Sequence, residues 1–378
     1  MALFGGKKAE PTSQGLLGVD LGTAGMKIVE LAPAEGGRMK LVTYGYAEPS
    51  VPVGARATPL DDLPKTEAVL KRILAEGGFT AKRAVAALPT TNVFHAIISI
   101  PVPKNPKEEL KGLIEQQSRK LLPLPLEEMV LDTNVLDKHL LTETISPTAV
   151  QSAQTGVTGN GMETKFMRVL ITAAPKTLVA SYVTLFKDLG IELMSLETET
   201  FAMTRSLVGK EKSHVLLVDV GAERSNLAIV DQGIPLLTRV IKGGGNAITQ
   251  ALSQTMGIGF DEADAMKRDL GFAADGKLPL PILEALKPIV HEIRYALGLY
   301  AEQVGGSAKP VEKIVVTGGS AHLPGLSQYL TQSLNMNVYL GDPWARVLAP
   351  AGLRGILEEI GPRFSVAVGL AERLEEKI

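Results

Sequence analysis

Apolar residues along this chain fall into short runs that end at glycine turns. Residues 16–31, LLGVDLGTAGMKIVEL, hold one apolar run, a glycine turn and a second run, which predicts a β-hairpin. Residues 214–233, HVLLVDVGAERSNLAIVDQG, repeat this order about 200 positions later. In both segments an Asp-x-Gly sequence closes the first strand. Two hairpins of one design predict two similar lobes that face one ligand.

Two further glycine runs precede predicted helices. Residues 313–330, KIVVTGGSAHLPGLSQYL, predict a buried strand, a turn at Gly318, Gly319 and Ser320, and a helix begun by Pro324. Glycines before a helix let a nucleotide approach the backbone. Gly243 and Gly244 precede a helix predicted over residues 246–256, where they either admit a phosphate or only form a tight turn.

The middle of the chain predicts a separate small subdomain. Between residues 93 and 196 the pattern gives strand, helix, strand, strand, helix, strand, which is the split βαβ order. A stretch rich in Thr, Ser, Gln and Gly, residues 138–163, predicts a flexible loop between two of these strands. Residues 1–14 predict a flexible polar tail.

Composition narrows the class of protein. The 378 residues are 45% hydrophobic, which indicates a globular chain with large cores and more than one domain. The formal net charge of -2 gives no global field for nucleic acid, so no nucleic-acid partner is expected. The absence of Cys excludes thiol chemistry and fits the cytosol. The apolar runs fall short of the roughly 20 residues that span a bilayer, so no membrane insertion is expected.

The glycine turns suggest phosphate chemistry. Asp20, Gly22 and Thr23 combine a carboxylate, bare backbone and a hydroxyl at one turn. Backbone N–H groups in such a turn form a concave site for phosphate oxygens, and a nearby carboxylate suits hydrated Mg²⁺. One such turn also closes ordinary hairpins, whereas the repeat favours a ligand. A Walker A loop is excluded, because GFAADGKL at residues 271–278 has Leu278 where a metal-binding hydroxyl is needed.

These turns resemble the phosphate and adenosine loops of the actin-like ATPases, the family of actin, Hsp70, sugar kinases and FtsA. The residues of the three loops are Asp20, Gly22, Thr23 and Lys27 in the first, Asp219, Gly221 and Ser225 in the second, and Gly318, Gly319 and Ser320 in the third. The resemblance implies an α/β fold of two lobes, each a mixed sheet with helices. It also implies ATP and Mg²⁺ as cofactors, with Asp20 and Asp219 facing the metal directly or through water.

The same resemblance assigns further site residues. Asp264 and Lys267 match an Ala-Glu-x-x-Lys sequence near the ribose and adenine, with Asp in place of Glu. Glu199 matches the residue that positions water for hydrolysis, although the proline that follows it in the family is absent here. Gly243 and Gly244 are assigned to the nucleotide site, and Lys27 is expected to neutralise phosphate charge.

Residues 100–132, IPVPKNPKEELKGLIEQQSRKLLPLPLEEMVLD, resemble the inserted subdomain of the PilM family, FtsA-like proteins of type IV pilus assembly. The resulting organisation assigns 15–88 to the first lobe, 89–197 to the inserted SHS2-type subdomain, 198–212 to the first lobe, 213–345 to the second lobe with 258–308 as its smaller part, and 346–378 to C-terminal helices returning to the first lobe.

This family implies a cytoplasmic, ATP-binding scaffold with at most slow hydrolysis. Its expected partner is the cytoplasmic N-terminal tail of a PilN-like inner-membrane protein, bound in a nucleotide-sensitive way at the cytoplasmic face of the inner membrane. Other platform proteins and motor ATPases are further expected partners, and self-association stays open. The alternatives are a small-molecule kinase on the same fold and an FtsA-like or secretion-system adaptor.

Overall fold

The computed structural model describes residues 15–48, 58–137, 156–157, 163–268, 278–304 and 309–373. The tail predicted for residues 1–14 and most of the loop predicted for 138–163 lie outside the described residues. The strands are β1 (Leu16–Gly22), β2 (Gly25–Pro33), β3 (Met39–Ala47), β4 (Arg83–Leu88), β5 (Phe94–Pro101), β6 (Met129–Val135), β7 (Gly156–Val157), β8 (Glu163–Thr164), β9 (Phe166–Pro175), β10 (Glu192–Thr198), β11 (Val215–Val220), β12 (Arg224–Asp231), β13 (Ile234–Lys242), β14 (Lys313–Thr317), β15 (Val338–Leu340) and β16 (Val347–Leu348).

The helices include several that begin or end within a few residues of the predicted positions. They are α1 (Leu63–Glu76), α2 (Pro106–Leu121), α3 (Lys176–Asp188), α4 (Glu199–Met203), α5 (Gly245–Met256), α6 (Phe260–Arg268), α7 (Leu280–Val304), α8 (Leu326–Leu334) and α9 (Arg354–Ala371). A π-helical turn, Thr204–Val208, continues α4. Within the described residues no helix is both long and apolar enough to cross a bilayer.

The chain divides into two compact units. The main unit comprises Met1–Leu88 with Val183–Ile378, and the inserted unit is Pro89–Tyr182. The main unit holds a six-stranded sheet in the order β10-β4-β1-β2-β3-β16 and a five-stranded sheet in the order β13-β12-β11-β14-β15. In both sheets a central strand pairs antiparallel with the strand that follows it and parallel with a later one. The main unit therefore repeats one mixed-sheet design, as the hairpin pattern predicts.

Helix α9 packs directly against the strand that leads to the first glycine turn. A Cβ added at Gly18 of β1 would lie 2.0 Å from the Ala367 carbonyl oxygen, and one added at Gly369 would lie 1.9 Å from that of Ala202. Only glycine permits such an approach between backbones. The same helix reaches the second sheet, since the Thr317 hydroxyl donates to the Pro362 carbonyl at 3.0 Å. One helix therefore supports the bases of both sheets.

The inserted unit has its own sheet and core. Its three strands run in the order β5-β9-β6 and are antiparallel. Alternate residues of β5 and β9 bury Ile98, Ile100, Met167 and Val169 against Ile114 of α2. Such burial stabilises by about 1.5–3 kcal/mol for each fully buried apolar side chain.

Strand β10 corrects the predicted extent of the insertion. The sequence pattern assigned residues 89–197 to the inserted subdomain, with a last strand at 191–196. In the structure β10 pairs parallel with β4 in the six-stranded sheet, and the inserted unit ends at Tyr182. An apolar strand gives the same pattern in either sheet, because periodicity does not specify its partner.

Candidate functional site

A cavity of about 620 Å³ lies in the main unit, and the two hairpin turns and the third glycine turn all contribute to its wall. That volume suits a ligand of nucleotide size. The predicted site residues that line it are Asp20, Gly22, Thr23, Lys27, Glu199, Asp219, Gly221, Asp264, Lys267, Gly318, Gly319 and Ser320. The fold thus gathers predicted residues from both sheets and from the helices α4 and α6 around one space.

The first hairpin places Asp20 beside Lys27. The two are cross-strand partners, and Lys27 Nζ donates to Asp20 Oδ2 at 3.0 Å and to the Gly25 carbonyl oxygen at 3.1 Å. Asp20 is only 6% exposed, so water screens this pair weakly. To bind a phosphate, Lys27 must therefore either contact it alongside Asp20 or break its ion pair with Asp20.

The second hairpin has the same register but a neutral partner. Asp219 lies opposite Asn226, whose Nδ2 donates to Asp219 Oδ2 at 3.2 Å. Burial, followed by the charge of Glu199, raises the pKa of Asp219 to about 7. The raised pKa favours the neutral form of this carboxyl, and a bound cation would favour its charged form.

The third turn lies tightly against the second hairpin. Gly318 has a φ of +92°, and a Cβ there would lie 2.3 Å from Asp219 Oδ1, so only glycine fits. The Gly318 N–H donates to the Pro362 carbonyl at 3.0 Å, and the Ser320 N–H donates to that of Val220 at 3.1 Å. These bonds fix the loop beside Asp219.

Glu199 stands at the start of α4. The Thr198 hydroxyl caps this helix by accepting the Phe201 N–H at 3.3 Å, which fixes the position of Glu199 in the first turn. The Glu199 side chain is mostly buried, and its two oxygens each lie 3.5 Å from a donor, Arg224 Nη2 and Asn226 Nδ2. The predicted water-positioning acid thus faces the second hairpin.

Asp264 and Lys267 of α6 bond to one another. Lys267 Nζ lies 2.7 Å from Asp264 Oδ1 and donates to the Thr249 hydroxyl at 2.6 Å. Burial lowers the pKa of Lys267. Burial alone would raise the pKa of Asp264, but the Lys267 hydrogen bond and the charges of Lys267 and Arg268 lower it overall. The Asp264 carboxylate therefore already has partners within the protein when no ribose is bound.

Three predicted residues lie behind the cavity wall. The Ser225 hydroxyl donates to the Gly243 carbonyl at 2.8 Å, and Ser225 is fully buried. A Cβ at Gly244 would lie 2.3 Å from the Gly221 carbonyl oxygen. Ser225, Gly243 and Gly244 therefore shape the second turn, and Gly245 is the residue of that run that reaches the cavity.

Several lining residues were not predicted. They include Arg224, Asn226, Asn246 and Arg363. Aligning the two hairpins would have identified Asn226, because it follows Asp219 by seven residues, as Lys27 follows Asp20. No local signal marks Arg363, which reaches the cavity from α9 and lies 2.9 Å from Glu48.

The oxygen ligands available at this site fit a hydrated magnesium ion. Asp20 and Asp219 offer carboxylate oxygens, and Asn226 Oδ1 is buried without a hydrogen-bond partner. No three Asp, Glu or His side chains among the described residues form a metal site unaided. Mg²⁺ commonly takes one or two carboxylates and completes its shell with phosphate and water, so this set is sufficient.

Comparison with protein families gives one match along nearly the whole chain. A family model described as type IV pilus assembly protein PilM matches residues 18–151 and 155–375. Among curated proteins, the chain is similar to cell division protein FtsA of Neisseria meningitidis, at 22% identity over 280 residues, 67% of this chain and 64% of that protein. FtsA of Enterococcus hirae is 24% identical over 195 residues, 46% of this chain and 44% of that protein. The match spans 44% to 64% of the length of these FtsA relatives.

Solved structures confirm the predicted fold. A PilM–PilN type IV pilus biogenesis complex matches with a TM-score of 0.73 and 24% identity, covering 96% of this chain and 98% of that one. Ethanolamine utilization protein EutJ from Carboxydothermus hydrogenoformans gives 0.53 and 16%, covering 97% and 91%. MreB5 of Spiroplasma citri, solved with ADP, gives 0.52 and 14%, covering 95% of each chain. Together with the two repeated mixed sheets, these likenesses establish the actin-like ATPase fold.

Proposed function

The chain belongs to the PilM family of type IV pilus assembly proteins, and on that premise we propose that it is an ATP-binding scaffold of the inner-membrane pilus platform. The observation that carries the proposal is the convergence of three glycine turns and two acids on one cavity. Exposed turn backbone suits phosphate oxygens, and Gly318 and Gly319 leave room for a nucleoside.

Each part of the cavity has a proposed task. Asp20 and Asp219 hold Mg²⁺ directly or through water, and Asn226 Oδ1 supports its shell. When bound, the ion neutralises phosphate charge between the two hairpins. Lys27 shares its charge between Asp20 and the phosphates, and Glu199 orients a water molecule. Arg224 and Asn226 both approach Glu199. Because these contacts compete with the water molecule for the Glu199 carboxylate, we expect slow hydrolysis.

The proposed partner is the cytoplasmic N-terminal tail of a PilN-like inner-membrane protein. The support is the family match and the likeness to a PilM–PilN complex. Nucleotide would alter tail binding by setting the angle between the two lobes, since a ligand shifts a conformational equilibrium through its differential affinity for the two states. Binding to that tail would hold the protein at the cytoplasmic face of the inner membrane, together with other platform proteins and motor ATPases.

The family match does not favour the two alternatives. A small-molecule kinase on this fold would need an acceptor site with a catalytic acid, and no observation in the described residues assigns one. FtsA relatives match over only part of their length, so cell division has weaker support than pilus assembly.

The test is a peptide titration under three nucleotide conditions. A fluorescent peptide of the PilN-like tail is titrated into the protein with Mg–ATP, with Mg–ADP and without nucleotide. We expect its affinity to differ at least about threefold between nucleotide states, and the difference to vanish in Asp219→Ala. Peptide binding that is equal in all three states would contradict nucleotide control while leaving the scaffold role. No peptide binding at all would contradict the scaffold.

A further inference from the structure

Within the described residues, the chain passes between the two sheets of the main unit at two places. Residues 199–214 lead from β10 of the six-stranded sheet to β11 of the five-stranded sheet, and residues 341–346 lead from β15 back to β16. The first connection contains α4 and the π-helical turn. A contact between the two connections therefore affects how firmly the two sheets are held together.

Arg346 ends the second connection and binds the first. Its Nη2 donates to the Ser206 carbonyl at 2.6 Å and also to the Arg205 carbonyl. The last carbonyls of a helix have no partner within that helix, so this guanidinium satisfies the end of the π-helical turn. It also lies over Gly209, where an added Cβ would come within 2.8 Å of Arg346 Cζ. Glycine at this position leaves room for the contact.

Glu372 offers the same guanidinium a second acceptor. It directly follows α9, its side chain is only 10% exposed, and its Oε2 lies 3.8 Å from Arg346 Nη2. This buried oxygen has no hydrogen-bond partner among the described residues. A hydrogen bond between a guanidinium and a carboxylate spans about 2.7–2.9 Å, so the pair is close but not bonded. A small movement of Arg346 would bond it.

Two other arginines near Glu372 are bonded elsewhere. The Arg205 guanidinium donates to both carboxylate oxygens of Glu197, at 2.8 and 2.5 Å, and Arg373 Nη1 donates to a serine hydroxyl of β10 at 2.7 Å. Burial raises the pKa of Glu372 to about 7, and the charges of Arg346 and Arg205 oppose this rise. Arg346 is therefore the cation that an ionised Glu372 would attract.

We propose that Glu372 and the carbonyls of the π-helical turn compete for Arg346, and that the protonation state of Glu372 decides which of them binds it. While Glu372 is neutral, the guanidinium stays on the carbonyls of Arg205 and Ser206 and ties the two connections together. When Glu372 gives its proton to water, the carboxylate draws the guanidinium to itself and those carbonyls are released. Arg346 and Glu372 thus form a proton-operated latch.

The latch is closed in mildly acidic solution and opens as pH rises through neutrality. The pKa of Glu372 is about 7 in the folded protein, against about 4.3 in an unfolded chain. Between these values the folded state keeps the proton that the unfolded chain has lost, so the stability that the neutral carboxyl contributes disappears as pH rises through 7.

The latch also bears on the cavity. Helix α4 begins with Glu199, which lines the cavity, and continues directly into the π-helical turn. Release of the turn should therefore alter the position of α4 and the affinity for Mg–ATP. This consequence rests on the proposed function, whereas the latch itself does not.

The experiment measures hydrogen–deuterium exchange of residues 199–214 in the full chain without nucleotide, at pH 6 and at pH 8. Rates are corrected for the pH dependence of exchange in unstructured peptides. In the wild type we expect protection of this connection to fall by about tenfold or more at pH 8, because charge-assisted hydrogen bonds to its carbonyls are lost. Glu372→Gln, which has no proton to release, should keep the higher protection at both pH values.

Two further variants separate the latch from other sources of pH dependence. Asp219→Asn removes another carboxyl whose pKa is raised to about 7, and it should leave the pH effect on exchange as in the wild type. Arg346→Gln removes the contested cation, so protection should be low at both pH values. Trp344, the single tryptophan of the chain, lies two positions before Arg346, and its fluorescence should change with pH in the wild type but not in Glu372→Gln.

Two outcomes overturn the latch while sparing the proposed function. One is equal protection of residues 199–214 at pH 6 and pH 8 in the wild type, and the other is an undiminished pH effect in Glu372→Gln. A wild type that binds no Mg–ATP at either pH overturns the proposed function instead. Because exchange is measured without nucleotide, the two failures are distinguishable.

Discussion

The two hairpins share a register but not a charge balance. In the first, Asp20 is neutralised within the hairpin by Lys27 at 3.0 Å. In the second, Asp219 faces the amide of Asn226, and the cation has moved two positions toward the turn, to Arg224 beside Glu199. The repeat therefore preserves turn geometry while distributing charge unequally. The acid of the first hairpin is neutralised within the hairpin itself, whereas a cation bound at the cavity would be needed to neutralise the acid of the second.

The two turns should differ most when the space behind each of them is filled. A Cβ at Gly244 would lie 2.3 Å from the Gly221 carbonyl oxygen, whereas one at Gly22 would lie 3.0 Å from that of Gly25. We expect Gly244→Ala to lower the free energy of unfolding by about 2–3 kcal/mol and Gly22→Ala by less than about 1 kcal/mol. Urea denaturation of both variants measures this, and equal losses would show that the turns are packed alike.

Removing the acid of each hairpin tests the difference in charge balance between them. Asp20→Asn leaves Lys27 without its charged partner, so it should lower the free energy of unfolding by about 1–3 kcal/mol. Asp219→Asn removes a half-buried carboxylate close to Glu199, so in metal-free buffer at pH 8 it should leave stability unchanged or raise it. Urea denaturation with EDTA compares the two variants, and a larger loss in Asp219→Asn than in Asp20→Asn would reverse the account.

The pH dependence of stability tests whether ionisation of the Asp219 carboxyl causes this difference between the two acids. The pKa of Asp219 is raised to about 7 in the folded protein, against about 3.9 in an unfolded chain. Between these values the folded state binds more protons, so this group adds stability as pH falls from 8 toward 5. Its contribution is lost as pH rises through 7, with a slope of at most about 1.4 kcal/mol per pH unit.

The matched control for this pH experiment is Asp219→Asn. Unfolding is followed in metal-free buffer from pH 5 to pH 8 for the wild type and this variant. The difference in stability between them should shrink as pH falls, because the wild-type carboxyl becomes neutral like the amide. A difference that stays constant across the range would show that Asp219 does not titrate there.

The smallest expected effect comes from giving the second hairpin the pair of the first. Asn226→Lys places an ammonium opposite Asp219, as Lys27 lies opposite Asp20. It should lower the pKa of Asp219, because an opposite charge favours the ionised form. The wild-type pH slope should therefore flatten, which unfolding measurements from pH 5 to pH 8 would show. An unchanged slope would show that burial alone controls this acid.

The features that the sequence predicted are those that short local residue patterns specify. Alternating apolar runs and Asp-x-Gly turns located both hairpins, and the structure brings Asp20, Asp219 and Glu199 to one cavity. Ser225 lies behind the cavity wall because successive residues of a strand face opposite sides. Because Arg224 and Asn226 line the cavity, Ser225 between them faces the Gly243 carbonyl.

Other features depend on contacts between distant segments. Strand β10 has an ordinary apolar pattern, and only its pairing with β4 shows which sheet it joins. Arg363 reaches the cavity because α9 packs beneath both sheets, and nothing near residue 363 marks that position. The contact between Arg224 and Glu199 likewise joins a hairpin to a helix start, which no spacing rule describes.

The most direct test of the central claim is calorimetric titration of the protein with Mg–ATP, using Asp20→Ala and Asp219→Ala as variants. If both hairpins hold one nucleotide, the wild type binds one Mg–ATP per chain, and each substitution weakens binding about tenfold or more. Absence of binding in the wild type, or affinity unchanged in both variants, would contradict the claim that the two unequal hairpins form one site.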